Sequence, residues 1–65
     1  MSQPSYELDA SGRIIAVKRT IDCDGVDYSH AISLTLSGLS FLEAERALDA
    51  WEQQKRANLA AERTR

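Results

Sequence analysis

The sequence predicts an α+β fold, in which a three-stranded antiparallel meander packs against one long C-terminal helix in the order βββα. Three observations carry this prediction. Apolar and polar residues alternate over 26–37, which is the period of a half-buried strand. The pair Asp24-Gly25 favours a two-residue hairpin turn. Ser40 and Glu43 open a stretch without glycine or proline. At 65 residues, the chain is expected to form one small domain, 1–65.

The first strand is predicted over about 5–9. Asp9 and Gly12 then occupy the first and last positions of a four-residue turn, which is the arrangement favoured in a type I turn. This turn leaves Tyr6 and Leu8 on the same apolar face of the sheet.

The second and third strands are predicted over about 13–23 and 26–37, and the turn between them fixes their register. The apolar face then pairs Cys23 with Val26, Ile21 with Tyr28, Arg19 with His30, Val17 with Ile32, and Ile15 with Leu34. The opposite face pairs Asp22 with Asp27, Thr20 with Ser29, Lys18 with Ala31, Ala16 with Ser33, and Ile14 with Thr35. A slip of one residue would mix the two faces, so the pattern and the turn support the same register.

The helix is predicted over about 41–62. Ser40 and Glu43 match a capping box, in which each residue satisfies a backbone N–H of the other. One apolar stripe at helical spacing should cover the apolar face of the sheet. It consists of Phe41, Ala44, Leu48 and Trp51.

The apolar residues of the helix end before those of the sheet. Beyond Trp51 the same helix face is mostly polar, whereas the end of the hairpin still offers apolar side chains. A domain this small depends on burying most of its apolar surface, so we expect a protein partner or a second copy to cover this end. The candidate partner-binding residues are Ile21, Asp22, Asp24, Val26, Asp27, Tyr28, Lys55, Arg56 and Leu59.

Two further features leave alternatives open. The edge of the third strand is long and carries no proline, so it is a second candidate binding surface, whereas Pro4 protects the first strand. Arg19 lies on the apolar face, where it can stack on Trp51, reach the sheet rim or bind an acidic partner. His30 is interpreted as a half-buried residue with local hydrogen bonds rather than a catalytic base.

The composition argues against several classes of protein. One cysteine, Cys23, allows neither an intrachain disulfide nor a zinc cluster. No catalytic constellation, cofactor motif or metal-binding motif is present, so we expect a protein that is not an enzyme and needs no cofactor. The first residues have no apolar core, so we expect no signal peptide, no membrane contact and a cytoplasmic location.

The remaining hypotheses concern binding. The first is a protein-binding module that acts as an inhibitor or adaptor of a larger protein or complex. The second is a self-associating structural or assembly subunit, with a homodimer expected. A weaker third is nucleic-acid binding through the basic helix end, but the five bases from residue 40 onward are balanced by five acids. Those bases are Arg46, Lys55, Arg56, Arg63 and Arg65.

In outline only, a meander with one helix and no chemistry is similar to small phage accessory proteins, including some anti-CRISPR proteins. No specific motif carries this resemblance. It implies an inhibitor of a larger protein or complex.

Overall fold

The computed structural model describes the backbone of residues 2–63 and the side chains of residues 5–63, and it confirms the α+β fold. Three antiparallel strands form one open sheet in the order β1-β2-β3, and a long helix packs against it. The elements are β1 (Ser2–Leu8), β2 (Ile14–Cys23), β3 (Val26–Ser33), a short helix α1 (Leu34–Ser37) and α2 (Phe41–Arg63).

The β2–β3 hairpin has the predicted turn and register. Asp24 and Gly25 both have positive φ values, 56° and 79°, as a type I′ turn requires. The ladder runs without irregularity from Cys23 opposite Val26 to Ala16 opposite Ser33. The two pairs predicted beyond Ser33 are absent, because the strand ends there.

The β1–β2 connection is also a tight turn. The Gly12 N–H donates to the Asp9 carbonyl (3.0 Å), and Asp9 Oδ1 accepts hydrogen bonds from the N–H groups of Ser11 and Arg13 (2.9 Å each). The register shifts by one residue between Glu7 and Leu8, which marks a β-bulge in β2. The strand begins at residue 2, earlier than the predicted residue 5.

The third strand ends at Ser33 and not at residue 37 as predicted, because a single helical turn, α1, replaces its last four residues. Ser33 Oγ caps this turn by accepting the Leu36 N–H (3.2 Å). Gly38 ends it in the left-handed conformation, φ 70°, and donates its N–H to the Leu34 carbonyl (3.1 Å).

The helix α2 begins with the predicted capping box. The Glu43 N–H donates to Ser40 Oγ, and the Ser40 N–H donates to Glu43 Oε1, both at 3.2 Å. The backbone hydrogen bond from Ser40 is the main cause that lowers the pKa of Glu43, and the Ser40 hydroxyl adds to it. The helix runs to Arg63, one residue beyond the predicted end.

The core lies between α2 and the centre of the sheet. Val17 on β2 packs with Ala44 and Leu48 on α2, and all three are fully buried. Ile32 and Leu34 pack against this cluster from the side.

The molecule is long and thin. Its extents are 48 × 21 × 15 Å, and its radius of gyration of 13.5 Å exceeds the roughly 11 Å expected of a compact chain of this length. The sheet and its long helix α2 therefore have two separate ends. One is the β2–β3 hairpin tip with the end of α2, and the other is the β1–β2 turn with α1 and the start of α2.

Candidate protein-binding site

The structure divides the predicted site residues at the hairpin tip between core and surface. Ile21 is fully buried, so its assignment to a partner-binding surface is corrected: it is an ordinary core residue. Cys23 and Tyr28 are half-buried, and Val26 is 51% exposed. The three acidic residues of the tip are all exposed: Asp22, Asp24 and Asp27.

Long cationic side chains from α2 cover much of the tip. The Lys55 ammonium lies 4.6 Å from the centre of the Tyr28 ring, as a cation–π contact. Arg56 Nη1 donates to Cys23 Sγ at 3.7 Å. These contacts explain why the polar end of α2 can lie over apolar strand residues, since the stems of long side chains bury carbon while their charges stay in water.

The last turn of α2 reaches the hairpin turn itself. Arg63 forms an ion pair with Asp24, and both side chains are largely exposed. A shallow cleft of ≈ 320 Å³ lies beside this pair, with Leu59 and Ala60 in its wall. The chain's own helix therefore covers the described part of the tip in part, and Val26 is the one large apolar side chain exposed there.

Arg19 has a role that the sequence interpretation missed. It is only 9% exposed, and its guanidinium contacts three carboxylates on α2 instead of stacking on Trp51 or binding an external acid. It is hydrogen-bonded to Asp49, while Glu45 lies at 3.1 Å and Glu52 at 3.5 Å. The hydrogen bond to Asp49 is the main cause that raises the pKa of Arg19 above its usual value.

His30 stacks on Trp51, with ring centroids 5.3 Å apart and planes 23° from parallel. This places Trp51 beside the Arg19–His30 pair of the β2–β3 ladder. His30 is exposed rather than half-buried, and no hydrogen bond to it is described among residues 5–63.

Most of the exposed large apolar side chains of the described residues lie at the other end of the molecule. We define the apolar end by six exposed side chains: Tyr6, Leu8, Ile14, Leu36, Phe41 and Leu42. Leu36 is 90% exposed, Leu42 59% and Leu8 58%. Val26 is the one other large apolar side chain that is exposed in the described part of the chain.

The fold brings these six side chains to the same end of the molecule. The rings of Tyr6 and Phe41 are 5.5 Å apart, which links β1 to the first turn of α2. Leu8 lies opposite Ile14 across the β1–β2 ladder. A cleft of ≈ 330 Å³ separates this turn from α1. Its walls are half polar and half apolar: Asp9, Arg13, Ile14, Ile15, Leu34 and Thr35.

The polar groups of the apolar end satisfy one another. Arg13 Nε lies 3.6 Å from Asp9 Oδ2, and the Ser11 hydroxyl donates to Asp9 Oδ1 at 2.6 Å. The Ser11 hydrogen bond is the main cause that lowers the pKa of Asp9. Asp9 and Arg13 therefore each have a partner within the chain.

Sequence reasoning missed the apolar end because it took residues 34–37 as strand. A strand would have placed Leu36 on the face that α2 covers, whereas the helical turn leaves it in solvent. The available signal was Ser33 followed five residues later by Gly38, which fits an N-cap and a left-handed C-terminal residue around one turn.

Comparison with protein-family models, curated proteins and solved structures finds no match for this chain. Within the described residues, neither helix has the length and apolar composition needed to cross a bilayer. The described side chains also form no group of three or more histidine, cysteine or acidic residues placed to hold a metal ion.

Proposed function

We propose that this chain is a small non-enzymatic protein-binding module that acts as an inhibitor or adaptor of a larger protein, and that it binds through the apolar end. The observation that carries the proposal is the concentration of six of the seven exposed large apolar side chains at one end of the molecule. Apolar clusters of this kind on small soluble domains are typical of interaction sites.

The small core strengthens this argument. Five apolar residues are buried among the described ones, whereas seven large apolar side chains are exposed. A partner that covers Leu36, Leu42 and Phe41 would remove this surface from water at roughly 25 cal/mol per Å². The partner expected is a protein with an apolar groove, because six exposed apolar side chains lie at this end and the two charges that line the cleft beside α1, Asp9 and Arg13, already pair with each other.

Nucleic-acid binding has little support. Three of the four cations that the structure describes in α2 already have partners within the chain: Lys55 on Tyr28, Arg56 on Glu52 and Arg63 on Asp24. A phosphate backbone would have to compete with these contacts. We also propose a cytoplasmic location, because a reducing compartment keeps thiols free and the one cysteine, Cys23, is a free thiol.

The proposal is tested by affinity capture with Leu36→Glu. Leu36 is 90% exposed, so the substitution removes little from the core and places a charge within the apolar end. Wild-type protein should recover one larger protein, and Leu36→Glu should reduce the amount recovered at least about tenfold.

Two variants serve as controls. Ala57→Glu adds the same charge at an exposed position on α2, away from the apolar end, and should retain the partner. Val26→Glu adds it at the hairpin tip. Equal recovery with Leu36→Glu and wild type would contradict the proposal, and loss with Val26→Glu alone would locate the binding site at the tip.

A further inference from the structure

The free edge of β3 has the properties of a self-association site. We propose that β3 of a second copy of this chain pairs antiparallel with it, so that two sheets join into one six-stranded sheet with both long helices on the same face. This interface is separate from the apolar end, and the proposal does not depend on the function proposed above.

The two edges of the sheet differ in how they are protected. In β1, Pro4 lies opposite Arg19 within the ladder and has no N–H to offer, and a bulge interrupts the β1–β2 register near Leu8. β3 runs from Val26 to Ser33 with no proline, lysine or irregularity, and its ladder with β2 is regular. β3 has none of the prolines, lysines or bulges that normally prevent edge pairing, and its one charged side chain is Asp27, so β3 is the more open edge.

The hairpin geometry fixes which backbone groups of β3 are free. In a two-residue hairpin the flanking pair, Cys23 and Val26, is hydrogen-bonded, and hydrogen-bonded and non-hydrogen-bonded pairs then alternate along the ladder. The N–H and C=O groups of Asp27, Ser29 and Ala31 therefore point away from β2. These three residues are exposed, and a second strand would satisfy their outward groups.

Charge selects one register for this pairing. Asp22 and Asp27 lie directly opposite each other on the sheet face away from α2, and neither has an ion-pair partner in the described structure. Like charges in this position destabilise the ladder. Lys18, the only cation of β2 or β3 on that face, also has no ion-pair partner among the described residues, and it lies opposite the small Ala31.

An antiparallel copy centred on Ser29 places Asp27 of one copy beside Ala31 of the other. Lys18 then lies two strand spacings, about 9.6 Å, from Asp27 of the second copy, with only Ala31 between them. An extended lysine side chain spans this gap, so each copy neutralises the acidic pair of the other. In the same register Val26, the exposed apolar residue of the tip, lies opposite Ile32 of the second copy.

The arrangement closes at two copies. A two-fold axis at Ser29 makes the interface the same on both chains, so both β3 edges are used. The outer edges of the six-stranded sheet are then the two β1 strands, each of which contains Pro4. Further strand addition is blocked, and a filament is not expected.

Sedimentation equilibrium of the purified full chain over a wide concentration range tests the proposal. Wild type should behave as a dimer of twice 7.2 kDa. Ser29→Pro removes an outward N–H without breaking the β2–β3 ladder, and should weaken the dimer about a hundredfold. Ser29→Ala keeps that N–H and loses only the hydroxyl contact with Thr20, so it should remain dimeric. A monomeric wild type, or a dimeric Ser29→Pro with an unchanged circular dichroism spectrum, overturns the proposal.

A charge exchange tests the register. It also tests the dimer itself if Ser29→Pro fails to fold. Lys18→Glu should weaken the dimer about tenfold, and adding Asp27→Lys should restore it. Equal dimerisation of all three proteins overturns the proposed register. Leu36→Glu should stay dimeric, so loss of a captured partner and loss of the dimer are separate results.

Discussion

Arg19 joins the sheet to the helix. It is buried on the central strand, and Glu45, Asp49 and Glu52 surround it at positions i, i+4 and i+7 of α2. This spacing puts all three carboxylates on one helix face, so without the guanidinium they would repel one another and the sheet would lose its polar contact with α2. Breaking a buried ion pair costs more than the pair itself contributes, because the remaining charges stay partly desolvated.

Arg19→Ala should therefore lower the free energy of unfolding by about 2–3 kcal/mol, somewhat less than for fully buried pairs, because Asp49 is exposed. Chemical denaturation followed by Trp51 fluorescence measures it. Arg46→Ala, an exposed arginine of the same helix, should change the stability by less than about 0.5 kcal/mol. If Arg19→Ala also changed the free energy of unfolding by less than about 0.5 kcal/mol, the cluster would not hold α2 to the sheet.

The position of Arg19 on the apolar face could be predicted from the sequence, but its partners were not. The alternation of β2 placed it on the same face as Val17 and Ile21, and the structure confirms this. The three acids were visible at helical spacing, but each also fits a solvated helix surface. To choose between contact with Arg19 and exposure to solvent, one must know which face α2 turns toward the sheet. That orientation depends on the packing of Leu48 and Ala44 rather than on a local pattern.

Elements that depend on local chemistry were predicted well. The type I′ turn at Asp24-Gly25 and the capping box of Ser40 and Glu43 each involve residues at most three apart, and both are confirmed. The predicted end of β3 was wrong, because residues 34–37 fit the alternation of a strand as well as they fit one helical turn. Over so few residues the two periods are indistinguishable, and the caps at Ser33 and Gly38 decide the outcome.

The capping box makes the stability of α2 dependent on pH. Hydrogen bonds from Ser40 lower the pKa of Glu43 in the folded protein, so its carboxylate stabilises the fold above the unfolded-state pKa of about 4.3. This contribution is lost as the pH falls through the lower folded-state pKa. The stability of the wild type should therefore decline below about pH 4.3, and Asp9, whose pKa is also lowered, contributes to the same decline.

Glu43→Gln keeps a hydrogen-bond acceptor for Ser40 but cannot titrate, so its stability should fall less steeply with acid than that of the wild type. Thermal unfolding between neutral pH and about pH 3 measures the slope. Glu62→Gln removes a carboxylate near the other end of α2 that makes no described contact, and should keep the wild-type slope. Identical slopes for the two variants would show that the capping carboxylate has no part in acid sensitivity.

The whole molecule has two chemically different ends. At the hairpin tip, Lys55, Arg56 and Arg63 of α2 cover the strand residues that sequence reasoning expected to be bare. This coverage follows from length, since the 23 residues of α2 span about 34 Å and the eight of β3 about 26 Å. The helix therefore reaches the turn, and the uncovered apolar surface lies where α1 and α2 begin.

Site-specific photo-crosslinking from the apolar end tests the central claim most directly. A photo-reactive amino acid at Leu36 should form a covalent adduct with one larger protein in cells, whereas the same group at Ala57 or Val26 should not. Leu36 is the most exposed large apolar side chain in the described residues, so the replacement leaves the core intact. An adduct with a larger protein from Val26 alone would place the binding surface at the hairpin tip, whereas an adduct between two copies of the chain would report only the dimer. No adduct from Leu36 would contradict the role assigned to the apolar end.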